Sequence, residues 1–177
     1  MKPIYFVDTE TTGLSPYRHE IIEIAICDLE GNELLNRRVK PDHPERCTPE
    51  AARVNGFDPE AWADAPHWKF IAPEVLTILD RKRCYMAGQN TLFHYGFVME
   101  SCRTHGFVVS SLPYKQLDLY TLAVCVLGPT GLDSFKLEAI CRALGVTNEA
   151  PHTAMGDARA TAACWKILAR QIHGGAL

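Results

Sequence analysis

The 177-residue sequence has no run approaching the roughly 18 consecutive apolar residues that a membrane helix requires, so no helical span and no membrane partner are expected. Its start lacks the basic segment and apolar core of a secretory signal, which points to a soluble, cytoplasmic protein. Seven cysteines are scattered without a C-x-x-C pair, which argues against a zinc ribbon or a redox pair. Most lie in apolar segments, where a free thiol behaves as a small hydrophobe, so reduced core thiols are expected. Positive charge is also short: 18 Lys and Arg against 21 Asp and Glu give a net charge of −3. That excludes a protein that coats long nucleic acid, since such binding needs many cations to displace counterions, but not one that grips a single strand end. The basic runs Arg37, Arg38, Lys40 and Arg81, Lys82, Arg83 read as solvated surface. No repeat, low-complexity tract or linker interrupts the chain. With 47% hydrophobic and 22% charged residues, 1–177 is expected to be a single globular domain with one sizeable core.

Period-two apolar patterns predict strands at about 3–9, 21–29 and 33–40, the last two joined by a turn at Glu30, Gly31 and Asn32. A proline-rich crossing follows, in which Pro41, Pro44, Pro49, Pro59 and Pro66 permit only short helices. Beyond it, a helix is expected at about 67–80, a short buried strand at 84–88, and a helix over "TLFHYGFVMESCRTHG" closed by Gly106. A strand near "KQLDL" leads to helices at about 119–127, 134–144 and 153–172. Three antiparallel strands followed by alternating helices and strands give an α/β fold, a mixed sheet covered by helices.

The end of the first strand carries Asp8 and Glu10. Side chains alternate across a strand, so Ile4, Phe6, Asp8 and Glu10 share one face. Two carboxylates held that close repel, and burial adds to the cost, so the pair must hold a proton or find a cation. Hard divalent ions such as Mg²⁺ and Mn²⁺ answer that need and can activate a water. Taken alone, D-x-E is a weak signal, more often a solvated strand end than a metal site. The following "TTGL" favours a ligand, because Gly13 allows a sharp turn and close backbone approach.

A third inward acid stands far away in the sequence, in "APHTAMGDARATAACWKIL". From Asp157, the positions Ala160, Thr161, Cys164, Trp165 and Leu168 recur at helical spacing, which places Asp157 on the buried stripe. His152 lies five residues earlier, too far around a helix to share that face, and is expected to reach in from the preceding loop.

The segments "FVDTETTGL", "AGQNTLFHYGFVMESC", "QLDLYTLA", "LEAICRALGV" and "HTAMGDARATAACWKIL" resemble, in order and spacing, the DnaQ-like (DEDDh) superfamily of 3′→5′ exonucleases. The resemblance covers nearly the whole chain. It implies a ribonuclease H-like mixed sheet, with antiparallel strands 1–3 and then parallel strands. It also implies hydrolysis of phosphodiester bonds at a single-stranded 3′ end of DNA or RNA by two divalent ions, Mg²⁺ or Mn²⁺. By motif matching, Asp8 would bridge both ions, while Glu10 and Asp157 would hold the one that carries the attacking water. His152 matches the general base, and an imidazole with a pKa of about 6.5 suits that task near neutral pH. Thr11, Thr12 and Leu14 resemble the stretch that cradles the terminal nucleotide, with Leu14 wedging against a base, and Phe93 matches a residue of the same pocket. Such contacts accept any base.

One motif departs from the family. Its second motif has the form H-N-x-x-F-D, whereas this sequence has "QNTLFH", so Gln89 replaces the histidine and His94 replaces a metal-site aspartate. Glu100 lies about 240° around the helix from His94 and faces elsewhere. Asp118, at a strand end, is expected to cap the next helix. Three readings of His94 follow. It is a neutral imidazole ligand of the second ion that favours Mn²⁺, or it leaves that position weak while the other ion supports slow hydrolysis. In the third, the protein is a noncatalytic relative that binds nucleic-acid ends or another protein.

Overall fold

The strand order of the sheet explains why residues from both ends of the chain meet. The computed structural model describes residues 2–172 and 174. β1 (Ile4–Thr11), β2 (Ile21–Cys27) and β3 (Glu33–Arg38) pair antiparallel, and β4 (Tyr85–Gly88) and β5 (Gln116–Asp118) join β1 in parallel, in the order β3-β2-β1-β4-β5. The central strand is therefore the one that carries Asp8 and Glu10. The β2–β3 turn is closed locally by Asp28, whose carboxylate accepts the backbone N–H groups of Glu30 and Asn32, both at 2.9 Å.

The helices are α1 (Pro49–Asn55), α2 (Trp68–Ile78), α3 (Thr91–Thr104), α4 (Leu119–Leu127), α5 (Leu137–Leu144) and α6 (Ala154–Ile172). α1 begins where Thr48 accepts the Ala51 N–H at 3.2 Å and Pro49 needs no donor partner. The alternation in β1 sorts its side chains between two layers. Val7 packs with Ile24, Ile26 and Met86 against α2 and α3, through Ile71, Val75, Phe97 and Val98. Phe6, Ala25 and Ala87 pack against α6 through Ala154, Met155, Ala158 and Ala162. A third cluster, with Leu119, Ile140, Cys164 and Leu168, ties α4 and α5 to the back of α6. Each large side chain buried this way contributes roughly 1.5–3 kcal/mol, which makes these contacts the main support of the site.

The expected elements appear nearly where the patterns place them, and β1 runs past the predicted end at residue 9 to Thr11. All seven cysteines are free; Cys27, Cys84, Cys102, Cys141 and Cys164 are buried, whereas Cys125 is exposed on α4. Among the described residues, no helix is long and apolar enough to cross a membrane.

Candidate active site

Asp8 and Glu10 project from β1 on the face that α6 covers, and α6 presents Asp157 in its first turn. One carboxylate oxygen from each of Asp8, Glu10 and Asp157 lies within 4.8 Å of the other two. Just after Glu10 the β1–β2 register shifts, from Glu10 opposite Glu23 to Thr11 opposite Ile21. Such bulges bend a strand and re-aim its side chains.

The electrostatics are those of a site short of positive charge. Burial, then the charges of Asp157, Glu10 and Glu23, hold the Asp8 carboxyl well above its ordinary range. Burial together with Asp157 and Glu23 pushes Glu10 up to about 7, against a hydrogen bond from Asn55 that favours the charged form. Asp157 is raised as well, chiefly by burial, although Asn148 and His152 oppose the rise. Three hard oxygen donors that resist ionising in one another's company are the donor set that a hard divalent cation fits.

The start of α6 is built to hold Asp157. Thr153 caps the helix by accepting the Gly156 N–H at 3.2 Å, and Asn148 donates its Nδ2 to Asp157 Oδ1 at 2.6 Å. Gly156 is required sterically, since a side chain there would place Cβ 2.0 Å from the Ala150 carbonyl oxygen. His152 is exposed, with a left-handed backbone (φ 61°), and its amide hydrogen-bonds the Asp157 carboxylate. A left-handed non-glycine residue is a strained choice and recurs at functional sites.

His94 sits on the other flank of β1, and its ring is only 5% exposed. Nδ1 accepts from the Thr9 backbone N–H at 3.1 Å and meets Thr9 Oγ1 at 2.9 Å, while Nε2 lies 3.0 Å from the Gln89 carbonyl oxygen. An amide can only donate and a carbonyl can only accept, so the proton is on Nε2 and the ring is neutral. Burial pushes its pKa down to about 4. Nε2 also lies 3.3 Å from Asp8 Oδ1, a contact between a neutral ring and a carboxylate. His94 is not one of the three residues whose donor atoms converge.

The expected nucleotide shelf is mixed in character. Leu14 is 84% exposed, whereas Thr11 and Thr12 are buried and Phe93 is half-buried against His94 and Phe97. The groups of Thr12 are taken internally: its N–H goes to Glu20, its carbonyl accepts from Thr48, and its hydroxyl accepts the Glu20 N–H. Thr12 thus shapes the shelf from within. The chain bends at residues 12–14 as expected around Gly13, and a Cβ there would lie 2.5 Å from the His19 ring, so its missing side chain also makes room for that ring.

Sequence reasoning missed Glu23, Asn55 and Asn148. Glu23 lies directly across from Glu10 and is engaged by Arg38 at 3.5 Å and by the Ala154 N–H at 3.4 Å. The strand pattern alone could have placed Glu23 beside Glu10; neither asparagine lies in a periodic segment. The two other acids weighed as substitutes are occupied elsewhere. Glu100 pairs with Arg103, and Asp118 accepts N–H groups from both Thr91 and Thr121, capping α3 and α4. A groove of about 960 Å³ along α6 and β3 is bordered by Glu23 and Asn148 but is not lined by the three acids. Its cations Arg38, Arg159 and Lys166 are tied to Glu23, Gly31 and Glu30, so chemistry, more than volume, marks the site.

Residues 5–164 match the RNase_T family, described as "Exonuclease". The chain belongs to this exonuclease family. DNA polymerase III subunit epsilon of Treponema pallidum is 25% identical over 156 residues, covering 86% of this chain and 69% of that protein. Ribonuclease T of Buchnera aphidicola is 27% identical over 182 residues, covering 88% and 78%. Among solved structures, Escherichia coli exonuclease I in complex with a dT13 oligonucleotide superposes with a TM-score of 0.82 at 22% identity, over 98% of this chain and 42% of that one. This family fold is the expected ribonuclease H-like one. A zinc-ion-bound form of the same exonuclease with single-stranded DNA superposes with a TM-score of 0.81 at 21% identity and is likewise matched over 41% of its length. The chain thus spans less than half of those solved exonuclease I chains.

Proposed function

We propose that this domain is a metal-dependent 3′→5′ exonuclease that removes nucleotides from single-stranded ends of DNA or RNA in the cytoplasm, and that residues 1–177 act as one catalytic unit. The observation that carries this reading is the convergence of Asp8, Glu10 and Asp157 from opposite ends of the chain, with His152 at the head of the helix that bears Asp157. Carboxylates raised by burial and by mutual repulsion favour Mg²⁺ or Mn²⁺, because a bound cation replaces the proton each would otherwise retain. A divalent ion held there supplies charge neutralisation at the phosphodiester and a more acidic water.

The chain's own residues supply the rest. His152 is exposed and next to the acids, so its imidazole can take the proton of the attacking water, while Asn148 and the His152 amide fix the Asp157 carboxylate. Leu14 offers an exposed apolar wedge for the terminal base, beside the buried Thr11 and Thr12, and Phe93 is assigned to the same pocket by its motif position. Contacts of that kind read no base edge, so weak sequence preference is expected.

The test uses 5′-labelled single-stranded DNA and RNA with Mg²⁺ or Mn²⁺, beside a circular single strand. Stepwise shortening from the 3′ end with the circle intact is expected. Cleavage of the circle contradicts the reading, and binding of 3′ ends without cleavage under any condition establishes the noncatalytic one.

A further inference from the structure

We infer that this centre holds one divalent ion, with the His94 imidazole fixed as a neutral N–H group on the flank of Asp8 where a second ion would need a ligand. The inference rests on the metal-dependent reading above and concerns how many ions that site takes.

A second ion held by protein side chains needs a donor on the His94 flank of Asp8, and among the described residues the ionisable groups there are already committed. His94 has one lone pair on its ring nitrogens, at Nδ1, and that lone pair faces the Thr9 N–H of β1. The other nitrogen points its hydrogen at the Gln89 carbonyl and lies 3.3 Å from Asp8 Oδ1. The ring therefore presents the positive end of an N–H dipole to Asp8, and it offers no electron pair to a cation. Turning the ring to free a lone pair would leave Thr9 N–H and Gln89 C=O without their ring partners in a place only 5% open to water. Buried polar groups do not lose partners cheaply. Phe93, edge-on at 5.4 Å between ring centroids, packs against the same ring.

No neighbouring acid replaces the missing carboxylate. Glu23 approaches from β2, on the side of β1 away from β4, and is held by Arg38 and the α6 amide. Asp118 is divided between two helix N-termini, and Glu100 is closed by Arg103. Gln89 donates its amide to the Phe135 carbonyl, and its Oε1 is buried without a hydrogen-bond partner, so among the described residues it is the one side-chain oxygen near His94 that is not already engaged. Among the described residues, the ionisable side chains that converge are Asp8, Glu10 and Asp157, a donor set sufficient for one ion.

The experiment counts bound Mn²⁺ per chain by the loss of the free-ion paramagnetic resonance signal, and follows the ring nitrogens of His94 by ¹⁵N NMR while diamagnetic Mg²⁺ is added. One Mn²⁺ per chain with an uncoupled spectrum is expected, and the ¹⁵N shifts keep the Nε2–H pattern with Mg²⁺. His94→Asp should raise the count to two. Two ions on the wild type, a spin-coupled pair, or ¹⁵N shifts showing His94 ligated to the ion overturn the inference and leave the exonuclease reading intact. No ion on the wild type overturns both. Should His94→Asp fail to fold, the wild-type count and the NMR pattern still decide the matter.

Discussion

Thr9 and His94 are joined twice, by the Thr9 backbone N–H at 3.1 Å and by its hydroxyl at 2.9 Å, both on Nδ1 of the ring. Thr9 is the residue between Asp8 and Glu10, so α3 clamps β1 at the point where the two acids diverge from the core. The pair acts first as structure. His94→Phe keeps the volume but orphans the Thr9 amide and the Gln89 carbonyl, at about 1–3 kcal/mol for each buried group left unpaired. Thr9→Val removes the hydroxyl contact alone and should cost about 1 kcal/mol. Urea unfolding of both variants checks the order; equal losses would show that the backbone bond carries none of the stability.

The raised carboxylates make the metal-free protein sensitive to pH. Glu10 titrates near 7 in the folded state against an ordinary value of 4.5, and Asp8 is shifted in the same direction. A folded-state pKa above the unfolded one means that the folded protein binds more protons between the two values. The contribution is fully present below about pH 4.5 and is lost as pH rises through about 7. Thermal melts in chelator should therefore show this contribution falling across that window, and saturating Mn²⁺ should remove the fall by stabilising the ionised forms. Glu10→Gln should flatten the chelator profile. A profile unchanged by both Mn²⁺ and Glu10→Gln contradicts the assignment.

Gly156 joins the loop to α6 so closely that a methyl group cannot be added without moving the Ala150 carbonyl, which would lie 2.0 Å away. Gly156→Ala should therefore displace the segment that carries Asn148 and His152. The predicted result is a melting temperature lowered by several degrees, corresponding to about 1–3 kcal/mol, with a larger loss of activity than of stability. Differential scanning calorimetry and nucleotide release on the same preparation compare the two.

Much of this was legible in the sequence, for reasons that differ by element. β1 was readable because period-two alternation puts Phe6, Asp8 and Glu10 on one face, and α6 because Ala160, Thr161, Cys164 and Leu168 follow a helical stripe from Asp157. Asp118 as a cap followed from its place before an apolar helix, and the Thr121 amide bears this out. The sharp turn at Gly13 was readable, and the chain does bend at residues 12–14, whereas the His19 ring packed against Gly13 could not be foreseen because it comes from the far side of the loop. Glu23 was passed over because its partner Glu10 lies across a hairpin whose register includes a bulge. The tautomer of His94 could not be read from the chain at all. It is fixed by an amide from β1 and a carbonyl from the end of β4, which meet only in the folded protein.

His152 offers a test that separates catalysis from folding. Its left-handed backbone suits glycine better than histidine, so His152→Gly should leave the melting temperature unchanged or raise it by a degree or two. The same substitution removes the imidazole and should lower the cleavage rate on the order of 10²–10⁴-fold, with Mn²⁺ affinity retained. Loss of metal affinity would instead make His152 part of the ion's support, and an unchanged rate would remove it from the reaction.

The central claim is that Asp8, Glu10 and Asp157 together hold the ion on which hydrolysis depends. The most direct measurement is single-turnover release of the 3′-terminal nucleotide by the wild type and by Asp157→Asn, with Mn²⁺ bound to each counted on the same samples. Asp157→Asn is expected to stay folded, to bind Mn²⁺ more weakly, and to release the nucleotide slower by on the order of a hundredfold or more, equivalent to about 2.7 kcal/mol in the barrier. A folded Asp157→Asn protein that binds Mn²⁺ and releases the nucleotide as the wild type does would contradict the claim.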